Sequence, residues 1–518
     1  MRLTQALRRA VQQRPAAIAS HCNGRSTRFD TLLDRVQRLA GGLRDLGIQT
    51  GEPVAMLALN SDRYLEFYLA VPWLGARCVP LNFRWSVEEV IYALRDSQAT
   101  AIVLDDSFAA HADALRAACP TLKALLFSGD GECPAGMVGW DALIERSAPT
   151  DEANGGDDEL YGVFYTGGTT GAPKGVLLTH RNLTMSALGL MAEGPFAENC
   201  IGLHAAPMFH LADMMMTCCL LLRGGTHVML SAFKPDVLLD IVQRHAITEL
   251  LLVPAMMQAV VDHPDFSRYQ THSVRNLLYG ASPASEALID RATAAFANTA
   301  FYQVYGMTEL AATATTLPPS EHRAATRTPG RLRSAGRSFS HVLIRVVDGQ
   351  GQDLPHGRVG EIIVRGPNVM RGYLNQPKAS DDALAGGWMH TGDMGYLDEQ
   401  GYLYIVDRLK DMIISGGENV YCAEVENALA RHPAIAACAV IGVPSAEWGE
   451  TVHAVIVLKP GAELDLASLQ QHCRELIAGY KCPRSFEVRP ALPISAAGKV
   501  LKTELRKPHW EGRTRAIN

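Results

Sequence analysis

The segment Thr166-Gly167-Gly168-Thr169-Thr170-Gly171-Ala172-Pro173-Lys174-Gly175 carries the residue types most directly suited to chemistry in this 518-residue chain. Glycines let backbone N–H groups converge on an anion with no Cβ in the way, and phosphate oxygens need many such donors at close range. The threonine hydroxyls add donors and Lys174 adds a cation. The segment follows an apolar run, 161–165, that reads as a strand. A polar, glycine-rich loop after a strand is either a phosphate cradle or a plain turn. The spacing GxxxxGK[ST] is absent, because Ala172 and Pro173 stand five residues after Gly167 and Gly168. That argues against an ordinary P-loop nucleotidase.

Further motifs follow in order: Tyr305-Gly306-Met307-Thr308-Glu309, His390-Thr391-Gly392-Asp393, Asp407-Arg408-Leu409-Lys410-Asp411, Ser415-Gly416-Gly417-Glu418-Asn419 and Gly498-Lys499. With the loop, they make the chain resemble the adenylate-forming superfamily of acyl-CoA synthetases, adenylation domains and luciferases. As a whole it looks most like bacterial fatty-acid-type CoA ligases, with aryl-CoA ligases close behind. Gly167 departs from the many members that carry Ser or Thr there, which removes one hydroxyl donor.

The resemblance implies that ATP and a carboxylic acid give an acyl-adenylate and pyrophosphate, after which CoA takes the acyl group and AMP leaves. Thr166, Gly167, Gly168, Thr169, Thr170, Gly171 and Lys174 would hold the phosphates. Gly280, Ala281 and Ser282 would border the nucleotide, with Tyr305 along the adenine and Gly306, Met307 and Thr308 beside it. Thr308, Glu309 and His210 are assigned to the catalytic set. Glu309, helped by Thr166, would bind Mg²⁺, and a hard carboxylate beside a phosphate loop suits that ion. Asp393 would take the ribose hydroxyls, and Arg408 would reach the ribose and phosphate region.

Lys499 is the implied catalytic cation. In-line attack of a carboxylate on the α-phosphorus spreads negative charge over the carboxylate, the phosphorus and the leaving pyrophosphate. A lysine bridging them stabilises that charge without moving a proton. The substrate carboxylate is already ionised at neutral pH, so no acid/base dyad is required. For the thioester step the resemblance implies rotation of the C-terminal part about Lys410. Ser415, Gly416, Gly417 and Glu418 would then approach the CoA thiol.

Ala206-Pro207-Met208-Phe209-His210 resembles the family segment that gates the acyl site, which puts Phe209, His210 and Met214 in the acyl pocket. Two other readings stay open: Met214 and its neighbours as ordinary helix core, and His210 as a hydrogen-bonded core histidine. The segment holds no obvious basic clamp for a second carboxylate. A fatty acid is therefore expected first, an aryl or polycyclic monoacid next. Transfer to a separate carrier protein and a non-catalytic nucleotide-binding relative are the alternatives.

The totals agree with an enzyme of this kind. The chain is 47% hydrophobic and 20% charged, with a formal charge of −6 that gives no reason to expect a nucleic-acid partner. Its 11 cysteines show no CxxC pair or zinc spacing. The first residues lack the apolar core of a signal peptide. No apolar stretch is long enough for an integral membrane segment. A cytoplasmic location is expected, and a homodimer is left open.

The elements that must position these groups read as α/β. Apolar residues at Leu32, Val36, Leu39, Leu43 and Leu46 mark one face of a helix. Strands are expected at 54–59, 78–81, 101–104, 161–165, 176–178, 249–253 and 274–279. Helices are expected at 64–74, after Asn182 and at 240–246, and Ser86 with Glu89 predicts a capping box. Short strands with glycine turns take over from about 333, and a last α/β unit has strands at 437–441 and 452–457 and a helix at 466–478. The resemblance implies a large N-terminal domain, 1–406, of two α/β sheet subdomains and a β-rich, barrel-like subdomain (about 333–406). A hinge at 407–410 and a small mobile α+β domain, 411–518, complete it.

Overall fold

Local sequence signals set many element boundaries in the computed structural model. The helix Phe29–Asp45 buries Leu32, Val36, Leu39 and Leu43 along one stripe. The box predicted at Ser86 and Glu89 forms: Ser86 Oγ accepts from the Glu89 N–H at 3.4 Å, and Glu89 Oε2 from the Ser86 N–H at 2.8 Å. The helix expected after Asn182 begins earlier, at His180. Thr179 caps it and Asn182 plays the reciprocal role usually given to Glu or Gln. The helix read at 240–246 spans Pro235–His245, with proline at its first position. Residues 2–166, 173–282, 284–408, 411–416, 418–445, 447–495 and 500–511 are described here.

Among the described residues the strands form four sheets. In the first, Ile18–Cys22, Thr226–Met229, Ile201–His204, Glu249–Leu252, Asn276–Gly280 and Ala300–Tyr305 lie side by side and parallel. In the second, Leu160–Thr166, Arg77–Pro80, Pro53–Leu57, Ala101–Leu104 and Ala124–Phe127 are parallel neighbours. Parallel strands need helical crossovers that cover both faces, as the alternating pattern required. A large apolar cluster joins the helices Phe29–Asp45, Asp62–Trp73, His180–Ala192 and Leu211–Arg223 to both sheets.

The β-rich segment is a four-stranded antiparallel sheet in the order Leu343–Val347, Gly360–Arg365, Met389–Leu397, Leu403–Arg408. It also lends strands elsewhere: Arg337–Ser338 pairs in the first sheet and Gly372–Tyr373 in the second. The fourth sheet is C-terminal. It centres on Gly449–Leu458, flanked by Ile435–Ser445, Ile413–Ser415 and Ser485–Val488. No helix of the described residues is long and apolar enough to cross a membrane.

Candidate functional site

Ligands of open parallel sheets bind outside the carboxyl ends of the strands, where loops diverge. Here those ends of both sheets meet. Phe83, just beyond Arg77–Pro80, packs edge-on against Phe209, just beyond Ile201–His204, with ring centres 5.4 Å apart. Asn60, beyond Pro53–Leu57, donates to the carbonyls of His204 and Ala206 and accepts the Met208 N–H.

Thr166 ends the strand Leu160–Thr166 and stands opposite Lys174 in an antiparallel pair. Gly167, Gly168, Thr169, Thr170 and Gly171 lie outside the described residues. Lys174 sits over the Tyr373 ring, 4.8 Å from its centre. The Tyr373 hydroxyl donates to Glu309 Oε1 at 2.9 Å. One cluster therefore joins the cation of the loop to the carboxylate assigned to the metal. The backbone reinforces it: Met370 N–H reaches the Glu309 carbonyl at 2.8 Å and Leu374 N–H the Gly175 carbonyl at 2.7 Å.

Glu309 is buried and makes no ion pair among the described residues. A buried carboxylate without a counter-charge is costly, and a hard divalent cation would relieve it. The donor set thus fits Mg²⁺. Glu309 rides on the short turn Thr308–Leu310, directly after Ala300–Tyr305. A Cβ on Gly306 would overlap the Ala312 carbonyl, so only glycine permits this fold-back. Asn368 fastens the turn by donating to the carbonyls of Leu310 and Thr313.

A second cluster lies at the sheet-to-sheet junction. Tyr305 donates to Asp393 Oδ2 at 2.8 Å, and Arg408 Nε lies 3.4 Å from Asp393 Oδ1. Burial, then the Asp393 charge, pushes the Tyr305 hydroxyl well above its ordinary range, so it stays a donor. Asp393 and Arg408 are register partners on adjacent strands. Glu361, on the neighbouring strand, braces the residues before Asp393 through His390 Nδ1 and the Gly392 N–H. Gly280 ends its strand against Val304, where a Cβ would overlap the Val304 carbonyl. Ala281 takes a positive φ of 66° and, with Ser282, turns the chain beside Tyr305.

On the acyl side, His210 caps the helix Leu211–Arg223 by accepting the Ala212 N–H at 3.3 Å. Phe209 and His210 are half-buried at the junction. Met214 is fully buried in the packed core. A buried chain beneath the segment was not read from the sequence. Asp213 Oδ2 lies 2.7 Å from His204 Nδ1, and His204 Nε2 lies 3.0 Å from His227 Nδ1, all three fully buried. It closes residues 204–213 into a fixed loop that presents Phe209 and His210.

Ser415 is buried in its strand, while Gly416 and Glu418 are exposed at the tip of the turn. Gly416 donates to the Trp448 carbonyl, and a Cβ there would come within 2.6 Å of the indole. Gly417, Lys410 and Lys499 lie outside the described residues. Tyr373, Asn368, Glu361 and Trp448 were missed because each acts through a partner distant in sequence; no local spacing marks them.

Removing only the Tyr373 hydroxyl leaves the ring over Lys174 but frees Glu309. Tyr373→Phe is expected to weaken Mg²⁺ dependence of ATP–pyrophosphate exchange about tenfold, the scale of one hydrogen bond to a charged group. An unchanged Mg²⁺ titration would refute this role.

A two-sheet α/β body with a smaller C-terminal sheet, and loop, carboxylate and tyrosine clusters at the strand ends, defines an adenylate-forming enzyme. Residues 7–374 match the family described as AMP-binding enzyme, and 424–499 match its C-terminal domain. The chain belongs to that family, and its class is the AMP-forming acid–CoA ligases. It is 41% identical over 500 residues to a feruloyl-CoA synthase of Amycolatopsis sp, covering 96% of this chain and 97% of that one. It is 35% identical to the fatty acid–[acyl-carrier-protein] ligase ScoC of Streptomyces coeruleorubidus, covering 98% and 96%. Among solved structures, the o-succinylbenzoate CoA synthetase MenE of Bacillus subtilis with its acyl-adenylate intermediate superposes with a TM-score of 0.84. It shares 30% identity, over 96% of this chain and 97% of that one.

Proposed function

We propose that this enzyme activates a hydrophobic monocarboxylic acid, aryl acids first and fatty acids second, and delivers it to CoA. The acid carboxylate attacks the α-phosphorus of ATP, the bond to the β-phosphate oxygen breaks, and pyrophosphate leaves. The CoA thiolate, its proton released to solvent, then attacks the acyl carbon, and the bond to the AMP oxygen breaks. Thr166, Lys174 and the glycine segment hold the departing pyrophosphate. Asp393 and Arg408 take the ribose, with Asp393 aimed by the Tyr305 hydroxyl. Mg²⁺ held by Glu309 and Thr166 would offset phosphate charge.

The convergence of the Lys174–Tyr373–Glu309 and Tyr305–Asp393–Arg408 clusters at the strand ends carries this reading. The order of acids differs from the sequence expectation. Phe83 and Phe209 form an edge-on pair beside His210, a surface suited to stacking a flat ring. The identity to a feruloyl-CoA synthase supports the same order.

The test is CoA-dependent AMP release across ferulic and benzoic acids, straight-chain fatty acids, steroid-derived acids and dicarboxylates. Highest kcat/KM for an aryl monoacid is expected. A fatty-acid optimum reverses the order, and silence across the panel overturns the reading. The ScoC relative favours one alternative, transfer to a carrier protein. In that case adenylate accumulates with CoA present and drains only when a carrier is added.

A further inference from the structure

The C-terminal sheet carries a cluster that the ligase chemistry does not use. Gly449–Leu458 and Ser485–Val488 run parallel, with His453 opposite Ser485 and Val455 opposite Glu487. Alternate residues of a strand share a face, so these four stand on one side of the sheet. The helix Lys502–Trp510 covers that side, its Leu505 fully buried against Val455, Ile441 and Ala439. His509 follows Leu505 by four residues and so lies on the same helix face. Its ring centre is 4.9 Å from that of His453.

Ligand atoms of His453, Glu487 and His509 all lie within 4.8 Å of one another. His453 is 5% exposed. Its Nδ1 is held by Ser485 Oγ at 2.7 Å, and its Nε2 is buried with no hydrogen-bond partner. In the tautomer whose Nδ1–H donates to the serine, the Nε2 lone pair has no partner. Glu487 gives one oxygen to Arg489 Nε at 2.7 Å, which leaves the other.

We propose that His453, Glu487 and His509 form a binding site for a borderline divalent transition ion, Zn²⁺ being the best match. Two imidazoles and one carboxylate suit zinc, whereas Mg²⁺ prefers oxygen ligands and keeps its waters. Three protein ligands leave a fourth position for water. The Ser485 contact on the far nitrogen is the orienting bond that metal-binding histidines usually have. Bonds of about 2.0–2.1 Å place tetrahedral donors about 3.4 Å apart, so binding draws the half-buried Glu487 and His509 side chains inward. A bound ion would pin the first helix after Lys499 to the sheet.

The test uses the full chain with Cys133→Ser, which removes the exposed thiol, after stripping with a chelator. Calorimetric titration with zinc chloride is expected to show one ion bound. His509→Gln and Glu487→Gln lie at half-buried positions and are expected to fold, with pyrophosphate exchange as the check. Ser485→Ala is expected to weaken binding about tenfold, and the two ligand variants more than that. Cobalt substitution should give ligand-field bands that vanish in His509→Gln. No binding by the parent chain, or equal binding by His509→Gln, overturns the site. Displacement of zinc by an equal concentration of Mg²⁺ overturns its chemical class.

Discussion

Lys499→Ala is expected to lower acid-dependent ATP–pyrophosphate exchange by about 100- to 1000-fold, the usual cost of losing one preorganised group at developing charge. The expectation rests on where the flanking chain is held. Ile494 and Val500 form an antiparallel bridge, and the Leu501 N–H donates to the Pro493 carbonyl at 2.8 Å. These contacts bring the two flanks of the Lys499 segment together. On the other side of the junction, Arg84 Nη1 lies 3.5 Å from the Ser495 carbonyl. Arg84 neighbours Phe83, which packs on Phe209 beside the proposed acyl site. The described residues on either side of Lys499 are thus held beside the strand ends where Glu309 and Asp393 gather. Thioester formation from supplied acyl-adenylate and CoA needs no charge stabilisation at the α-phosphorus. It should survive the substitution. Loss of both steps together, or exchange indifferent to Lys499, would refute the role.

The candidate site residues legible in the sequence are those that stand in short contiguous motifs. Glu309, Asp393 and Lys499 were marked by the motifs that carry the family resemblance, and of these the described residues place Glu309 and Asp393 at the strand-end clusters. What joins them was not legible. Tyr373 reaches Glu309 only because Gly372–Tyr373 leaves the β-rich segment to pair with Lys174–Thr179. Pairing between distant segments has no local signature. The Asp213–His204–His227 chain is hidden for the same reason, since nothing in an apolar helix distinguishes a bonded Asp from an exposed one.

The fold follows this division. Helices with a clear stripe, such as Phe29–Asp45, and strands in apolar runs were legible. The hairpin Ile18–Cys22 and Arg25–Arg28 was not, because its strands are polar and short, although Asn23-Gly24 with φ of 47° and 79° is a turn signal. The acyl preference was the least legible element. The proposed order of acids rests on an aromatic pair, Phe83 and Phe209, formed across two sheets.

Lys410→Pro is expected to separate the two half-reactions, with pyrophosphate exchange near the parent rate and thioester formation slowed about 100-fold. Proline fixes φ and removes an N–H, and where the second conformation needs a different φ the cost is about 3 kcal/mol. Each 1.36 kcal/mol is tenfold in rate, hence the factor. Contacts on both sides of residue 410 tie the strand before it to the C-terminal sheet and helices in this conformation. Asp407 is buried and accepts the Cys422 N–H at 2.6 Å. Asp411 is gripped by Arg506 at 2.7 Å, and the Met412 N–H returns to the Arg408 carbonyl. Arg408 itself is tied to Asp393 at the proposed ribose site. A swing that carries Lys499 away and brings the Ser415, Gly416 and Glu418 turn forward would break the contacts spanning 407–412 and leave those within the C-terminal sheet. Stopped-flow AMP release with CoA, set beside exchange without it, measures the split. Equal slowing of both reactions would mean that residue 410 supports the adenylation geometry and is not the pivot.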